Sequence, residues 1–526
     1  RAYHMRSGKG RKKRKAPSFH FQVAHPAVTF LLRQPPIIGD DRRDARHSKE
    51  RIGLQPGSQK SVIVAGGGVA GMSAACALAE AGLRVRLVER RAFLGGRASS
   101  YRSPAIDEVI DNCQHVLFGC CTNLIGFYRR IGVAQKIHWT RAMTMIEPGG
   151  RRSRLGPSRL PAPMHGLPSL LAAKAFTRAD KWALLRAFSA ILRITPKDST
   201  TEWSLGTWLR QNGQTVGAID RFWRLVIASA LNADLDEIAL PYAVKVIREL
   251  FLNSAEAGSM GMSTVPLSEL YAGAETFLRD RGGEVLFNAG VESAEWSEAA
   301  SQWTLNTRAG VLTSDYLVLA LPFESVAKLL PRMPAAPGVE SLAAQIARHE
   351  HWPICSVHLW FDREITHLEH AVLLDRTIHW MYNKSRLQPG RRGKGSYLEL
   401  VISASREFAS LKRAEAIDLA VSELKEFFPM AREAKLEKSA LVKEVRATFG
   451  VPPGIDQFRP RAQSAPWPNC ALAGDWTATG WPSTMESAAR SGHLAAEAIC
   501  ASLGDRRKIL NDDLRPRGFM RFLKSE

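Results

Sequence analysis

The feature that most constrains this fold is a strand, a glycine loop, a helix and a second strand within about thirty residues. Ser61–Ala65 is a short β-branched run, and Gly66-x-Gly68-x-x-Gly71 follows it directly. The alanine-rich stretch after the loop has helical composition, and Leu83–Glu89 is typical of a second strand. Because the strands of a β-α-β unit are parallel, the pattern predicts an open α/β sheet.

The glycine loop predicts a dinucleotide site. Gly66 makes a tight turn, Gly68 lets the backbone approach a pyrophosphate, and Gly71 permits close packing of helix on strand. The N-terminus of the following helix offers N–H donors and a positive dipole to phosphates. Glu89, at the end of the second strand, is placed to accept a hydrogen bond from a ribose 2′-hydroxyl, which favours an unphosphorylated ribose. A glycine-rich turn before any helix is the alternative interpretation.

Two further segments favour FAD over NAD. Gly95-Gly96-Arg97 follows the acid-ended strand, and an arginine there can neutralise a pyrophosphate or flavin charge. Gly474-Asp475 ends a buried strand and offers a carboxylate to ribityl hydroxyls, although Asp475 could instead simply cap a helix. We therefore predict FAD as cofactor and expect no metal. The remaining predicted cofactor contacts are Val69, Ala70, Arg90, Val291, Ser483, Thr484 and Met485.

Composition places the chain among globular proteins, but its charge is unevenly distributed. Of the formal net charge of +21, residues 1–60 hold 15 Lys or Arg against 4 Asp or Glu. We interpret residues 1–58 as a disordered basic extension: an anionic-lipid tether, a targeting peptide, a nucleic-acid arm or the product of an over-extended reading frame. No stretch approaches the ~18 apolar residues of a membrane-spanning helix. Seven cysteines without C-x-x-C spacing fit a reducing cytoplasm.

The pattern along the chain predicts an α/β fold in which a Rossmann-like FAD-binding domain is interleaved with a mixed α+β substrate domain and a helical cap. Helical spacings dominate the middle of the chain, and short β-branched runs return on either side of it. The predicted segments are an extension at 1–58, FAD-binding parts at 59–150, 276–335 and 456–503, a cap at 151–275, a substrate domain at 336–455 and a basic tail at 504–526.

These motifs together resemble those of the amine oxidase and phytoene desaturase superfamily of flavoproteins, over roughly residues 60–500. Asp111-Asn112-Cys113-Gln114-His115 resembles the Asp-Asn-Gly-Gln-His stretch of the hydroxysqualene dehydroxylases, and Ala473–Gly492 resembles their C-terminal segment. Cys113 departs from that pattern, because the family usually has glycine there. If residue 113 needed a positive φ, a cysteine would be strained.

The resemblance implies a reaction and its partners. The family removes the hydroxyl of hydroxysqualene to yield squalene, a net reduction that needs an external electron donor. The hydroxyl is allylic, so an acid that assists C–O cleavage would leave a delocalised cation to accept a hydride. His115 is the candidate acid, and a histidine that merely hydrogen-bonds the backbone is the alternative. We expect no nucleic-acid partner.

A C30 hydrocarbon substrate suggests a cytoplasmic enzyme that meets the inner face of the membrane. The segment Gly166–Ile194 mixes apolar and basic residues at spacings that suit an interfacial helix on anionic lipid, or an ordinary core-facing helix with a basic solvent side. Large residues expected to line an apolar substrate tunnel are Trp223, Asn232, Pro266, Leu267 and Trp481.

Three other activities share this sequence pattern. A carotenoid or phytoene desaturase would use the same cofactor contacts to oxidise a polyene. An amine oxidase would need an aromatic cage for the substrate amine. A prenyl-binding escort of the same fold would not use flavin at all, and the presence of Glu89, Arg97 and Asp475 argues against it.

Overall fold

The structure, a computed structural model, describes residues 59–195, 202–391 and 395–522. The extension predicted at 1–58 and the last four residues of the predicted tail lie outside this part. The strands are β1 Ser61–Ala65, β2 Arg84–Val88, β3 Ser100–Ser103, β4 Glu108–Asp111, β5 Val116–Phe118, β6 Ile137–Thr140, β7 Met143–Ile146, β8 Arg152–Leu155, β9 Met260–Ser263, β10 Glu284–Leu286, β11 Val291–Ser297, β12 Gln302–Thr307, β13 Gly310–Ser314, β14 Tyr316–Leu319, β15 His351–Phe361, β16 His370–Leu373, β17 Trp380–Asn383, β18 Ser396–Ile402, β19 Leu436–Phe449 and β20 Cys470–Leu472.

The helices are α1 Val69–Glu80, α2 Thr122–Arg130, α3 Leu167–Ala172, α4 Arg178–Ile191, α5 Leu205–Gln211, α6 Val216–Ala218, α7 Ser229–Leu231, α8 Leu240–Ile247, α9 Leu267–Arg279, α10 Phe323–Leu329, α11 Val339–Ile346, α12 Lys384–Leu387, α13 Arg406–Ser410, α14 Arg413–Phe427, α15 Met430–Glu433 and α16 Met485–Ser502. Two π-helical segments, Ile219–Ala228 and Arg248–Leu252, continue α6 and α8. Within the described residues, no helix has the length and hydropathy to cross a membrane.

A five-stranded parallel sheet forms the cofactor half of the molecule. Its order is β10-β2-β1-β14-β20, and the four pairings are all parallel. Val62–Ala65 are fully buried, as expected for a parallel strand covered on both faces. Helices α1 and α16 pack closely, since a Cβ on Gly492 would lie 2.2 Å from the carbonyl oxygen of Ala70. The predicted Rossmann-like α/β fold is confirmed.

A seven-stranded sheet forms the second half, in the order β19-β15-β18-β17-β16-β7-β8. One face packs on α14 through an apolar cluster that includes Leu398, Leu400 and Leu424. Strands β7 and β8 form a hairpin of this sheet, and β7 pairs with β16. The boundary predicted at 150/151 is therefore wrong. It falls in the hairpin turn, where Gly149 and Gly150 supply positive φ values and look like a linker in the sequence.

The region between β8 and β9 is predominantly helical and buries an aromatic cluster. The rings of Phe188, Phe222 and Trp208 surround Trp223, with centroid distances of 5.4–6.3 Å. The C-terminal segment also packs onto the fold, because Met520 is buried and Arg490 contacts Asp513 at 2.6 Å. The described part of the predicted tail is thus folded against the rest of the chain.

Candidate active site

The glycine loop lies at the carboxyl end of β1, where the parallel strands end together. Gly66 has φ +112°, and its N–H donates to the carbonyl of Val88 at 2.8 Å. A Cβ on Gly71 would lie 1.8 Å from the carbonyl oxygen of Gly66, so no larger residue fits. Val69 and Ala70 form the first turn of α1, which has neither a side-chain cap at Gly68 nor an acidic residue in that turn. Its N–H groups are therefore available to a phosphate.

Glu89 lies beside this loop and orders it. One carboxylate oxygen accepts from the N–H of Gly67 at 2.8 Å, and the other accepts from the N–H of Arg91 at 2.8 Å. A ribose hydroxyl at this acid would therefore share oxygens that already bind backbone. The N–H of Ala289 donates to the carbonyl of Glu89, which brings the start of β11 at Val291 to the same strand end. Arg90 is exposed, and a Cβ added at Gly290 would lie 3.4 Å from the Cβ of Arg90.

The second glycine pair touches the first loop. Gly95 donates to the carbonyl of Gly67 at 2.9 Å, and a Cβ on Gly96 would lie 3.1 Å from the Cα of Gly68. The guanidinium of Arg97 forms an ion pair with the carboxylate of Asp475. Burial alone would raise the pKa of Asp475, but the charge and hydrogen bond of Arg97 outweigh burial and lower it. The structure thus brings the two ends of the predicted cofactor site together.

The C-terminal part of the site is a loop followed by α16. Gly474 has φ +148°, and its N–H donates to Ser491. Ser483 donates to Asp475 at 2.6 Å, and Thr484 caps α16 one residue before Met485. All the predicted cofactor residues lie in this loop, at the two glycine loops or at the adjoining strand ends. Uncapped N–H groups, small residues and a paired carboxylate fit FAD.

Arg459 is a member of this site that sequence reasoning missed. Its side chain is fully buried, and it donates to the carbonyls of Asp475 and Thr477 at 3.0 and 2.6 Å. It also contacts the hydroxyls of Tyr242 and Thr479. Arg459 therefore holds the Gly474–Thr479 loop in place. Arg459 lies in a stretch without a recognisable motif, so the sequence carried no signal for this role.

The Asp111–His115 segment contacts a buried lysine from the second sheet. Lys384 forms an ion pair with Asp111, donates to the side-chain oxygen of Gln114 at 2.8 Å, and lies 3.4 Å from Glu399. Asp111 also accepts from Ser100 at 2.5 Å. Burial opposes the charge of Asp111, but Lys384 lowers its pKa nonetheless, whereas burial raises the pKa of Glu399 to about 7. One lysine thus faces one acid whose pKa is lowered and one acid whose pKa is raised toward neutrality.

More polar groups on the same sheet face extend this cluster. His358 contacts Ser356 at 3.1 Å and the hydroxyl of Tyr397 at 2.9 Å. Burial lowers the pKa of His358 to about 3, so this ring is neutral. We call Asp111, Gln114, Lys384, Glu399, His358 and Tyr397 the polar layer. Its sequence signal was a glutamate and a histidine inside the mostly apolar strands β18 and β15, but nothing in the sequence identified their partners.

His115 adjoins the polar layer, and its environment restricts its role. Its Nδ1 lies 2.8 Å from the carbonyl oxygen of Cys113, which places a proton on Nδ1 when the ring is neutral. Burial lowers the pKa of His115. A neutral His115 can accept a proton at Nε2 and pass it on. The lowered pKa means that the doubly protonated ring is disfavoured at neutral pH.

Cys113 has φ +133°, so the positive φ considered from the sequence is present. Its side chain is buried, and its thiol lies near Ser356 and Glu399. Ordinarily alanine stabilises a chain relative to glycine, because glycine loses more backbone freedom on folding. At a positive φ this order reverses. We therefore expect Cys113→Gly to be more stable than Cys113→Ala by about 1 kcal/mol.

Urea unfolding of both Cys113 variants measures this difference, and each loses the same sulfur, so the comparison isolates the backbone. A matched pair at Cys355, which is buried in β15, should show the usual order with alanine ahead. An alanine variant at position 113 as stable as the glycine variant would contradict the strain.

The residues predicted to line a tunnel have different surroundings. Trp223 is the centre of the aromatic cluster described above. Asn232 ends α7 at φ +53° and donates to Trp352 and Thr448, while Ala404 donates to it. The ammonium nitrogen of Lys245 lies over the ring of Trp481, 4.8 Å from the ring centroid. Their contacts are those of packing and helix termination and give the tunnel prediction no support.

Pro266 and Leu267 are different, because they lie beside the Asp111 segment. Pro266 precedes α9, and the N–H of Leu267 donates to Asp111 at 3.3 Å. These two residues therefore join the polar layer to α9. Of the five predicted liners, they are the pair that the structure brings to the Asp111–His115 segment.

Fold and site together define a dinucleotide-binding oxidoreductase with a second sheet over the cofactor domain. Residues 69–500 match the family of flavin containing amine oxidoreductases, and the chain belongs to that family. It is an FAD-dependent oxidoreductase, which excludes the prenyl-binding escort. The narrower dehydroxylase resemblance is not what these comparisons show.

Individual relatives are carotenoid enzymes and oxidases. The chain is 27% identical over 469 residues to the 15-cis-phytoene desaturase of Synechococcus elongatus, covering 84% of this chain and 96% of that protein. It is 26% identical over 476 residues to the chloroplastic/chromoplastic 15-cis-phytoene desaturase of an Oncidium hybrid cultivar, covering 85% and 79%. A solved putrescine oxidase has the same fold, with TM-score 0.64, 16% identity and coverage of 84% and 99%.

Proposed function

We propose that this enzyme removes the allylic hydroxyl of hydroxysqualene and yields squalene. The observation that carries the proposal is the polar layer beside an apolar wall on one sheet face. In the strand register, Tyr382 and His358 flank Glu399, while Trp380 and Ser356 flank Val401 two residues further along. Along β18 the face thus changes from the acid and its polar neighbours at Glu399 to Val401 and Trp380, where Ser356 is the one polar side chain of the three. A long hydrocarbon that carries one hydroxyl requires both environments.

The reaction breaks the C–O bond, and the oxygen leaves as water after accepting a proton. The two glycine loops and the Arg97–Asp475 pair would hold FAD, which in its reduced form would supply the hydride that replaces the hydroxyl. The chain's own residues deliver the proton: Glu399 stores it, Lys384 and Gln114 connect the polar layer to the Asp111 segment, and Nε2 of His115 passes it on. Two electrons must come from an external donor in each turnover.

A second candidate is the desaturation of a polyene such as phytoene, which the relatives' names favour. That reaction removes hydrogen from a hydrocarbon and protonates no leaving oxygen. It would leave the polar layer without a chemical role. The two candidates therefore differ in whether the polar layer takes part in turnover.

Anaerobic incubations distinguish the two candidates. Reduced holoenzyme with hydroxysqualene should reoxidise its flavin and form squalene, and oxidised holoenzyme with phytoene should show no spectral change. The opposite pair of results would establish the desaturase. His115→Ala should keep its FAD and lose at least about 100-fold in turnover, the lower end of the range for general acid catalysis. Unchanged turnover in that variant would remove His115 from the mechanism.

A further inference from the structure

Six large apolar side chains are exposed on three neighbouring segments. They are Leu160, Met164, Leu171, Trp182, Phe519 and Phe522, and their exposed fractions run from 39% to 74%. We call them the apolar surface. They make up six of the eleven exposed large hydrophobic side chains in the described part of the chain. Exposed apolar residues that cluster in this way mark an interaction surface.

Hydrogen bonds to backbone carbonyls hold these segments together. The N–H of Phe519 donates at 2.9 Å to the carbonyl of Ala162, a residue between Leu160 and Met164 in the sequence. The ammonium of Lys181 donates to the carbonyl of Leu171 at 2.7 Å, which joins α4 to α3. The apolar surface is therefore an arrangement of the folded chain.

The C-terminal segment shows why two of these rings face solvent. Gly518–Phe522 is a 3₁₀ helix, in which residues three apart lie on the same side. Met520 is buried in the main core, while Phe519 and Phe522 share the opposite face and are 54% and 69% exposed. On α4, Ala183, Leu184 and Ala187 likewise pack inward, whereas Trp182 is 74% exposed. Both segments thus have a buried face that holds apolar side chains, and yet each also exposes aromatic rings to solvent.

The segments that carry the apolar surface are strongly basic in sequence. Residues 157–193 and 514–522 together contain nine Lys or Arg and a single acid, Asp180. Asp180 is turned inward, where it accepts from Thr177 and Thr215. Lys174, Arg178 and Arg521 are exposed. Aromatic rings with a basic surround suit the interface of a bilayer that carries anionic headgroups.

We propose that the apolar surface docks this enzyme on an anionic lipid bilayer, with Trp182, Phe519 and Phe522 inserted among the lipids. The basic residues then contact the headgroups. The inference rests on the proposed function for its use, because a C30 substrate is dissolved in the bilayer. Its test needs no turnover, so failure of the docking and failure of the chemistry can be told apart.

Flotation of full-length holoenzyme with vesicles tests the docking. The probes are phosphatidylcholine alone and phosphatidylcholine with one quarter phosphatidylglycerol. Phe519→Ser with Phe522→Ser should weaken binding to the mixed vesicles by about tenfold or more, and Trp182→Ser should weaken it further. The matched control is Val311→Ser with Met430→Ser, which alters exposed apolar residues elsewhere and should bind like wild type.

The charges have a separate test. Lys174→Gln, Arg178→Gln and Arg521→Gln should each lower binding to mixed vesicles about fivefold at low salt and leave binding to phosphatidylcholine alone unchanged. Retained flavin absorbance in every variant verifies folding. Flotation of the Phe519 and Phe522 variant at wild-type level would overturn the proposal. Sedimentation without lipid gives a second way to overturn it. If wild type were a dimer and the same variant a monomer, a second copy of the chain, and not a bilayer, would cover the apolar surface.

Discussion

Gly71→Ala is expected to weaken FAD binding by about five- to 150-fold, the equivalent of the ~1–3 kcal/mol that overpacking a tight site costs. The added Cβ would lie 1.8 Å from the carbonyl oxygen of Gly66 and 3.2 Å from the Cβ of Ala320. Either α1 moves away from the loop or the loop changes shape. Both responses misalign the uncapped N–H groups at Gly68, on which a pyrophosphate depends.

Calorimetric titration of apoprotein with FAD measures this effect, and the flavin-to-protein absorbance ratio after purification gives a second readout. The control is Gly166→Ala, because Gly166 has φ −84° and its added Cβ would meet no atom within 4 Å. That variant should bind FAD like wild type. Full retention of flavin by the Gly71 variant would mean that the loop does not cradle the phosphates.

The cofactor half of the site was predictable because its signals are local. A β-branched run, three glycines at fixed spacing and an acid at the next strand end all lie within Ser61–Glu89. Each residue there acts on its own neighbourhood, as Glu89 does on Gly67 at 2.8 Å. The pairing of Arg97 with Asp475 spans most of the chain, but a carboxylate after a buried strand marked its second half.

The substrate half was less predictable because its contacts join distant strands. Lys384 lies 273 residues from Asp111, and nothing near Lys384 marks it as buried. Hydrophobic size was the signal for Trp223, but large apolar residues also fill cores, and its ring packs against other aromatic rings. Asn232 adopts a positive φ because it terminates a helix, a structural requirement that resembles a binding residue in the sequence. The hairpin across residue 150 was missed for a similar reason, since glycines serve both turns and linkers.

Lys384→Met is expected to lower the free energy of unfolding by about 3–5 kcal/mol, the usual cost of removing one partner of a buried ion pair. Asp111 and Glu399 would remain buried without a cation, while the methionine fills most of the space of the lysine stem. The expected loss exceeds that for an exposed ion pair. Lys438→Met, which breaks the surface pair of Lys438 with Glu108, should leave the urea midpoint near wild type.

The pH dependence of the Lys384→Met loss identifies its cause. In wild type, Lys384 lowers the pKa of Asp111, so this carboxylate contributes stability above its unfolded pKa. Without Lys384, burial raises the pKa of both acids, and the folded state is then disfavoured progressively as pH rises above about 4, the unfolded pKa. Urea unfolding should therefore show a larger loss at pH 8 than at pH 5. Adding Glu399→Gln should recover part of the loss at pH 8, because one buried carboxylate is removed. An equal loss of stability at both pH values would mean that Lys384 stabilises the fold by packing. Its charge would then not be what stabilises the polar layer.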